Sequence, residues 1–245
     1  PMRKCRRATG IPRRVRGSIA RMRILVIGGG GFLSGAVVRL AVSRGHETWA
    51  LTRGKRPLPA GARPIVADRK DHAATAAAVN AAGRRWDLVV DCIGFSADDA
   101  EQDLALFAGR AGRLVFISSD CAVSPHRRPW RVDETFDRFD DAPYGAGKRA
   151  AELVLLGAGP ALPVTIVRPP HIYGPGSNLG CLPRHLRDER LIDRLRRGEP
   201  LDLVGGGHFL QQPVFVEDVA RMALSAAGND RAAGEVYFAA GPDVV

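Results

Sequence analysis

Four consecutive glycines, Gly28-Gly29-Gly30-Gly31, stand directly behind the apolar run Arg23-Ile24-Leu25-Val26-Ile27 and directly before a helical stretch that opens near Ser34. Strand, glycine turn and helix in that order make the unit whose backbone can cradle a pyrophosphate. Glycine lets the turn close tightly and lets its N–H groups come near the phosphates, while the helix N-terminus behind it adds a favourable dipole. The spacing G-x-x-G-x-x-G holds at Gly28 and Gly31; Ser34 takes the third slot and Gly35 follows. Serine is small enough for the close helix–strand contact that slot serves. The loop from Gly28 to Gly35, with Gly28, Gly31, Phe32 and Leu33 on its ligand side, therefore predicts a nicotinamide-dinucleotide site. The competing reading is a glycine-rich turn that holds nothing.

The rest of the chain keeps alternating apolar runs with longer helical stretches. Further strands are expected at 47–52, 64–67, 87–91, 113–117 and 164–167, with late ones at 214–216 and 236–238. Helices are expected at 34–44, 71–82, 97–108, 144–156 and 217–227, with an amphipathic one near 184–197, and 120–143 reads as loop. This βαβ rhythm predicts the α/β class: a doubly wound parallel Rossmann sheet with a small C-terminal substrate-binding region. The expected organisation is a basic disordered arm over 1–21, a dinucleotide-binding core over 22–170, and a mixed substrate-binding region with late Rossmann elements over 171–245.

The formal charge of +10 invites a nucleic-acid partner, but eight of the 36 cations crowd into residues 1–21 without a carboxylate. The body keeps 28 cations against 26 acids, so the excess belongs to the arm and argues against nucleic acid as a partner of the folded part. The arm reads as a leader or a mis-assigned start ahead of Met22, with a basic nucleic-acid or anionic-surface tail and a targeting peptide as alternatives. No stretch approaches the ~20 apolar residues of a membrane span, so no membrane partner is expected. Cys5, Cys92, Cys121 and Cys181 form no C-x-x-C pair, which fits reduced thiols in a cytoplasmic protein and neither a disulfide frame nor a metal site.

Cofactor choice is set where the second strand ends. An acid there accepts the ribose 2′-OH of NAD, whereas a cation accommodates the 2′-phosphate of NADP. The sequence has Thr52-Arg53-Gly54-Lys55-Arg56, which favours NADP through Arg53, helped by Lys55 or Arg56, and leaves NAD and solvated turn charges as alternatives. Asp68, at the end of the third strand, suits either an acceptor for the adenine amino group or a helix N-cap.

Tyr144-Gly145-Ala146-Gly147-Lys148 places Tyr144 and Lys148 on one helical face. A free phenol, with a pKa of about 10, is a poor base at neutral pH, but an adjacent ammonium and a cationic nicotinamide favour the phenolate. Ser119 follows a buried strand, where its hydroxyl can hydrogen-bond the substrate oxygen that gains or loses the proton. The catalytic set read from the residues is Ser119, Tyr144 and Lys148.

On these motifs (VIGGGGFLSG at 26–35, FISSD at 116–120, YGAGK at 144–148, VRPPHIYGPG at 167–176 and FVEDVA at 215–220) the chain resembles the extended short-chain dehydrogenase/reductases, the NAD-dependent epimerase/dehydratase family, across 22–245. The resemblance implies Tyr144 as acid/base, Ser119 as hydroxyl-polarising residue, and Lys148 as ribose ligand that also tunes Tyr144. It further implies that the loop from Arg168 to His171 lines the nicotinamide side. The implied activity is hydride transfer at a hydroxyl or carbonyl of a sugar-like or other small substrate, and relatives that dimerise beside the Tyr–Lys helix make a homodimer an open expectation. Two features depart from the pattern. Gln211 stands at the approximate place where sugar-nucleotide epimerases carry a phosphate-gripping arginine, and a neutral amide cannot replace a guanidinium there. The chain also stops at Val245, where relatives continue, so a short or truncated form is expected. An atypical branch resembling chloroplast stem-loop-binding proteins and certain reductases fits equally well, so a non-catalytic NADP-binding or RNA-binding protein is the alternative function.

Overall fold

The structure, a computed structural model, describes residues 20–83, 85–126, 128–129, 132–177, 190–208, 210–242 and 244. Nearly all of the expected arm and the first half of the helix expected at 184–197 lie outside the described residues.

The first half alternates strand and helix except that β3 follows β2 directly: β1 (Arg23–Ile27), α1 (Phe32–Ser43), β2 (Glu47–Thr52), β3 (Arg63–Val66), α2 (His72–Ala82), β4 (Leu88–Asp91), α3 (Ala97–Phe107) and β5 (Leu114–Ile117). A 3-10 turn at Asp120–Ala122 leads towards α4 (Pro143–Leu156) and β6 (Val164–Arg168). The short pair β7 (Ile172–Tyr173) and β8 (Val214–Phe215) brackets α5 (Leu191–Arg196), and α6 (Val216–Ser225) and β9 (Glu235–Phe238) close the order. Seven strands form one parallel sheet in the order β3-β2-β1-β4-β5-β6-β9, while β7 and β8 pair with each other.

The strands form where apolar residues fill both faces. In β4 and β5 every residue is buried, as expected for a sheet covered by helices on each side. Alternate side chains separate into two cores. Ile24, Val26, Val90, Val115 and Val167 pack with Val37 and Val38 of α1 and Val219 of α6. Leu25, Ile27, Val89, Leu114 and Ile166 pack with Val79 of α2, Phe107 of α3 and Leu155 of α4. Local capping fixes the helix starts: Asp71 accepts from the Ala74 N–H at 2.9 Å, Ser96 accepts from the Asp99 N–H at 3.3 Å, and Pro143 occupies the first turn of α4.

Three expectations shift. The strand expected over 214–216 ends at Phe215, because Val216 already belongs to α6 and is buried with it. The described part of the amphipathic helix is the six-residue α5. Asp71, not Asp68, caps α2; Asp68 is exposed and accepts from the Lys70 N–H at 3.1 Å. Among the described residues no helix is long and apolar enough to cross a membrane, and no cluster of three or more His, Cys, Asp or Glu is placed to hold a metal.

Candidate active site

The sheet order reverses between β1 and β4, which opens a crevice beyond the carboxyl ends of those strands. The glycine loop occupies one wall. Gly28 has φ +97°, and a Cβ there would lie 2.6 Å from Cγ2 of Ile93 in the turn after β4, so both conformation and space demand glycine. A Cβ on Gly29 would overlap Ala50 of β2, and the Gly28 N–H donates to the Leu51 carbonyl at 2.9 Å. The loop is thus pinned flat against the sheet.

Ser34 does more than fit the third slot. Its hydroxyl donates to the Gly28 carbonyl and accepts from the Gly31 N–H at 2.9 Å, tying both ends of the turn. The first-turn amides of α1 at Phe32 and Leu33 have no intrahelical acceptor by construction, and that turn carries no acidic side chain. A pyrophosphate fits such a cradle. Arg53 is exposed just past the end of β2, and a Cβ on Gly30 would sit 3.3 Å from Cβ of Arg56, so the basic turn runs beside the phosphate loop. Asp68 is exposed at the end of the neighbouring β3.

The second wall is α4. Lys148 is 2% exposed and donates from Nζ to the carbonyls of Gly94 at 2.7 Å and Ile117 at 2.8 Å, with the rings of Phe95 and Phe116 4.6 and 5.0 Å away. Burial pushes its pKa down to about 8, against the opposing pull of Asp91. One helical turn earlier Tyr144 is half exposed, tilted against Phe95 with ring centroids 6.3 Å apart. Ser119 is buried at the end of β5, and its Oγ accepts from the Cys121 N–H at 3.1 Å. One residue, Ser118, separates Ser119 from Ile117, whose carbonyl receives Lys148. Ser119, Tyr144 and Lys148 therefore gather around the carboxyl end of β5 and the first turns of α4.

Glycines make this approach feasible. A Cβ on Gly147 would lie 2.5 Å from the Phe95 carbonyl oxygen, and one on Gly145 would overlap the Cys121 carbonyl and come within 2.8 Å of Asp140. Gly145→Ala is expected to cost about 1–3 kcal/mol through this overpacking, read as a lower melting temperature with the helix content retained. A melting temperature equal to the parent's would contradict the contact.

The reach of the loop after β6 is narrower than the motif suggests. Arg168 points inwards, 2% exposed and clamped on Glu152 at 2.8 and 2.6 Å, so its guanidinium serves the core. His171 is half-buried ahead of β7, and its carbonyl accepts from the Val214 N–H at 2.9 Å. Gln211 is half-buried near β8.

Sequence reasoning missed a buried polar network at the carboxyl ends of β3 and β4. Arg69, 5% exposed, donates to Asp91 at 2.6 Å, to Asp103 at 2.8 Å and to the Asp99 carbonyl at 2.7 Å. Lys70 donates to Asp99 at 2.8 Å, and Gln102 donates to the Arg69 carbonyl at 2.9 Å. Burial and the neighbouring Asp91 push Asp103 well above the usual carboxylate range despite Arg69. For Asp99 burial is outweighed by Lys70, the Phe95 N–H and Arg69, and its pKa falls. An aspartate ending the otherwise apolar strand Leu88–Asp91 was the signal available in the sequence.

Comparison with known proteins gives a consistent picture. The profile of the NAD dependent epimerase/dehydratase family matches residues 24–240. A 2-alkyl-3-oxoalkanoate reductase of Stenotrophomonas maltophilia is 32% identical, the match covering 89% of this chain and 70% of the reductase. The chloroplast stem-loop binding protein of 41 kDa b of Arabidopsis thaliana is 28% identical over 91% of this chain, which spans only 60% of that relative's length. Among solved structures, a putative epimerase from Burkholderia cenocepacia superposes with a TM-score of 0.75 at 22% identity, covering 94% of this chain and 78% of the other.

Proposed function

The chain belongs to the NAD-dependent epimerase/dehydratase family, and from that premise we propose that it is an oxidoreductase that moves a hydride between a nicotinamide dinucleotide and a hydroxyl or carbonyl carbon of a small substrate. The observation that carries this reading is the setting of Lys148, an ammonium buried between two carbonyls one turn from Tyr144. An ammonium offers three protons; two go to Gly94 and Ile117, which leaves one for a ribose hydroxyl. Its positive charge also favours the Tyr144 phenolate.

Tyr144 then gives a proton to, or takes one from, the substrate oxygen. Ser119 Oγ accepts from the Cys121 N–H and donates to Asp120 Oδ1 only over a long 3.5 Å contact, a proton it can redirect to that same oxygen. The nicotinamide, when bound, supplies or accepts the hydride. The cradle for it is Gly28, Gly31, Phe32 and Leu33 at the phosphates, Arg53 at the 2′-phosphate, Asp68 at the adenine amino group, and His171 on the nicotinamide side. Residues 171–245 shape the substrate region.

The 3-oxoalkanoate reductase similarity and Gln211 in place of a phosphate-gripping arginine both favour reduction of a carbonyl over epimerisation of a nucleotide sugar. Mixing the protein with NADPH or NADH and 3-oxoalkanoates, then following loss of the reduced-nicotinamide absorbance, tests this. Consumption of the reduced cofactor is expected; conversion of UDP-sugars with the cofactor unchanged would replace reduction with epimerisation.

NADP is the proposed cofactor, with NAD as the competitor. Removing the Arg53 charge in Arg53→Ser is expected to weaken NADP about tenfold or more, the worth of a charge-assisted hydrogen bond, and to leave the Kd for NAD unchanged. Calorimetric titration measures both constants. Tighter binding of NAD than NADP by the parent protein would overturn the preference.

Similarity to a stem-loop binding protein motivates a second reading, RNA binding. Deleting residues 1–21 separates the arm from the body: RNA affinity and its salt slope are expected to vanish with the arm. Retained affinity would assign RNA to the folded body.

A further inference from the structure

The network around Arg69 lies outside the catalytic set, yet it touches it at one point. Asp91 is fully buried, and its Oδ1 accepts from the N–H groups of Ile93 at 2.8 Å and Gly94 at 3.0 Å. Its Oδ2 takes the Arg69 guanidinium at 2.6 Å. Asp99 takes the next amide of the same turn, the Phe95 N–H, at 2.8 Å. Three successive amides are therefore held by two buried carboxylates, and the Gly94 carbonyl between them is an acceptor of Lys148 Nζ. Packing is so close that a Cβ on Gly94 would overlap Asp91 Oδ2 and the Phe116 ring.

We propose that Asp91 is a positioning residue for Lys148, fixing the Gly94 carbonyl that holds Nζ and supplying the buried counter-charge that keeps it an ammonium. The inference rests on the reading of Lys148 as the ribose ligand beside Tyr144. An oxygen acceptor alone would cap the turn, and a neutral amide has one. Pairing with Arg69 makes a full charge tolerable at this buried place, and a charge, unlike an amide, also acts on the ammonium beyond the turn.

The surroundings of Lys148 support the charge argument. Among the described residues no carboxylate lies within ion-pair distance of Nζ. From β4 it faces Asp91 and Cys92, and the Cys92 thiol, pushed far up by burial, stays neutral. From the β3–α2 connection it faces Arg69, which opposes the ammonium, and from α3 Asp99, which favours it. Lys70 pairs with Asp99, and Asp103, which burial and the adjacent Asp91 push well above the usual carboxylate range, pairs with Arg69. On α4 itself Glu152 and Arg149 pair with each other and Glu152 with Arg168 of β6. In the 3-10 turn Asp120 pairs with Arg128, and Cys121 is pushed up and remains a thiol. Asp91 and Asp99 thus both act on the ammonium and hold the turn, but Asp91 exerts the larger pull and holds the N–H of Gly94 itself.

The test is the pH dependence of the Kd for NADP and NAD, titrated calorimetrically without substrate. With Lys148 near 8, affinity in the parent is expected to fall as the pH rises through that region and the ammonium is lost. Removing a buried negative charge lowers the pKa of a nearby cation, so Asp91→Asn is expected to move this alkaline limb down by about one pH unit. Asp91→Ser, which keeps an oxygen for the turn and presents no amide to Arg69, is the parallel variant. Both are measured below their own melting temperatures. Asp103→Asn alters a carboxyl that lies against Asp91 and Arg69 but takes none of the turn's amides, and is expected to leave the limb in place. A limb unmoved in both Asp91 variants overturns the inference, provided that Lys148→Met abolishes the limb. If Lys148→Met keeps the limb and the parent affinity, the reading of Lys148 falls and the inference falls with it.

Discussion

Tyr144→Phe is expected to lower turnover by about 10²–10⁴-fold, the usual worth of a positioned acid/base, while the melting temperature and the Kd for the dinucleotide stay near those of the parent. The separation of effects follows from where the phenol sits. Tyr144 is half exposed at the start of α4 and touches Phe95 by its ring, so deleting the hydroxyl removes no buried volume and leaves the ring contact intact. Lys148 still holds its two carbonyls, so the ribose contact proposed for it is left intact. What goes is the proton that must move as hydride moves. Ser119 cannot replace it, because a serine hydroxyl polarises the oxygen without titrating near neutral pH. The measurement is the steady-state rate of reduced-nicotinamide oxidation with a 3-oxoalkanoate, beside a thermal melt. Equal turnover by variant and parent would remove Tyr144 from the acid/base role.

Much of this arrangement was legible in the sequence because it is written in local patterns. The run Arg23–Ile27 followed by glycines specifies strand and turn within about ten residues, since only glycine adopts the φ of Gly28 without strain. Apolar runs bounded by helical stretches fixed most sheet elements to within a residue or two, as with β2 at Glu47–Thr52. Tyr144 and Lys148 were legible because i and i+4 share a helix face whatever the tertiary fold does.

What sequence reasoning missed depends on contacts between distant segments. Arg69 and Asp103 are separated by 34 residues, and Arg168 and Glu152 by 16, and no local pattern says that such charges meet in the interior. Arg168 reads as a cofactor-side residue when taken with its motif, yet its guanidinium faces the core. The boundary at Val216 was also unreadable: a β-branched residue continuing Val214-Phe215 looks like strand, yet it opens α6 and is buried in the core that α6 shares with α1. Gly145 and Gly147 belong to the same class, since the carbonyls of Cys121 and Phe95 that require them are far away in sequence.

Glu152→Ala is expected to cost about 3–5 kcal/mol, because it leaves the Arg168 guanidinium buried without its partner. For a domain of this size that corresponds to a melting temperature lower by about 6–20 °C. Glu152 is fully buried and accepts from Arg168 through two bonds, from Ser118 Oγ at 2.6 Å and from Arg149 at 3.0 Å. Those bonds outweigh burial and hold its pKa below the usual carboxylate range. A lowered folded pKa gives stability that is fully present above the ordinary glutamate value and is lost as pH falls through the lowered one. The gap in melting temperature between parent and variant is therefore expected to be widest near neutrality and to narrow below about pH 4. Replacing both partners, as in Glu152→Ala with Arg168→Met, is expected to recover part of the loss, since no charge is then stranded. Simple additivity of the two single substitutions would contradict the pairing. The effect should also reach the active site. Glu152 lies one helical turn beyond Lys148 and accepts from Ser118, the residue before Ser119, so its loss is expected to loosen α4 against the end of β5, where Tyr144 and Lys148 stand.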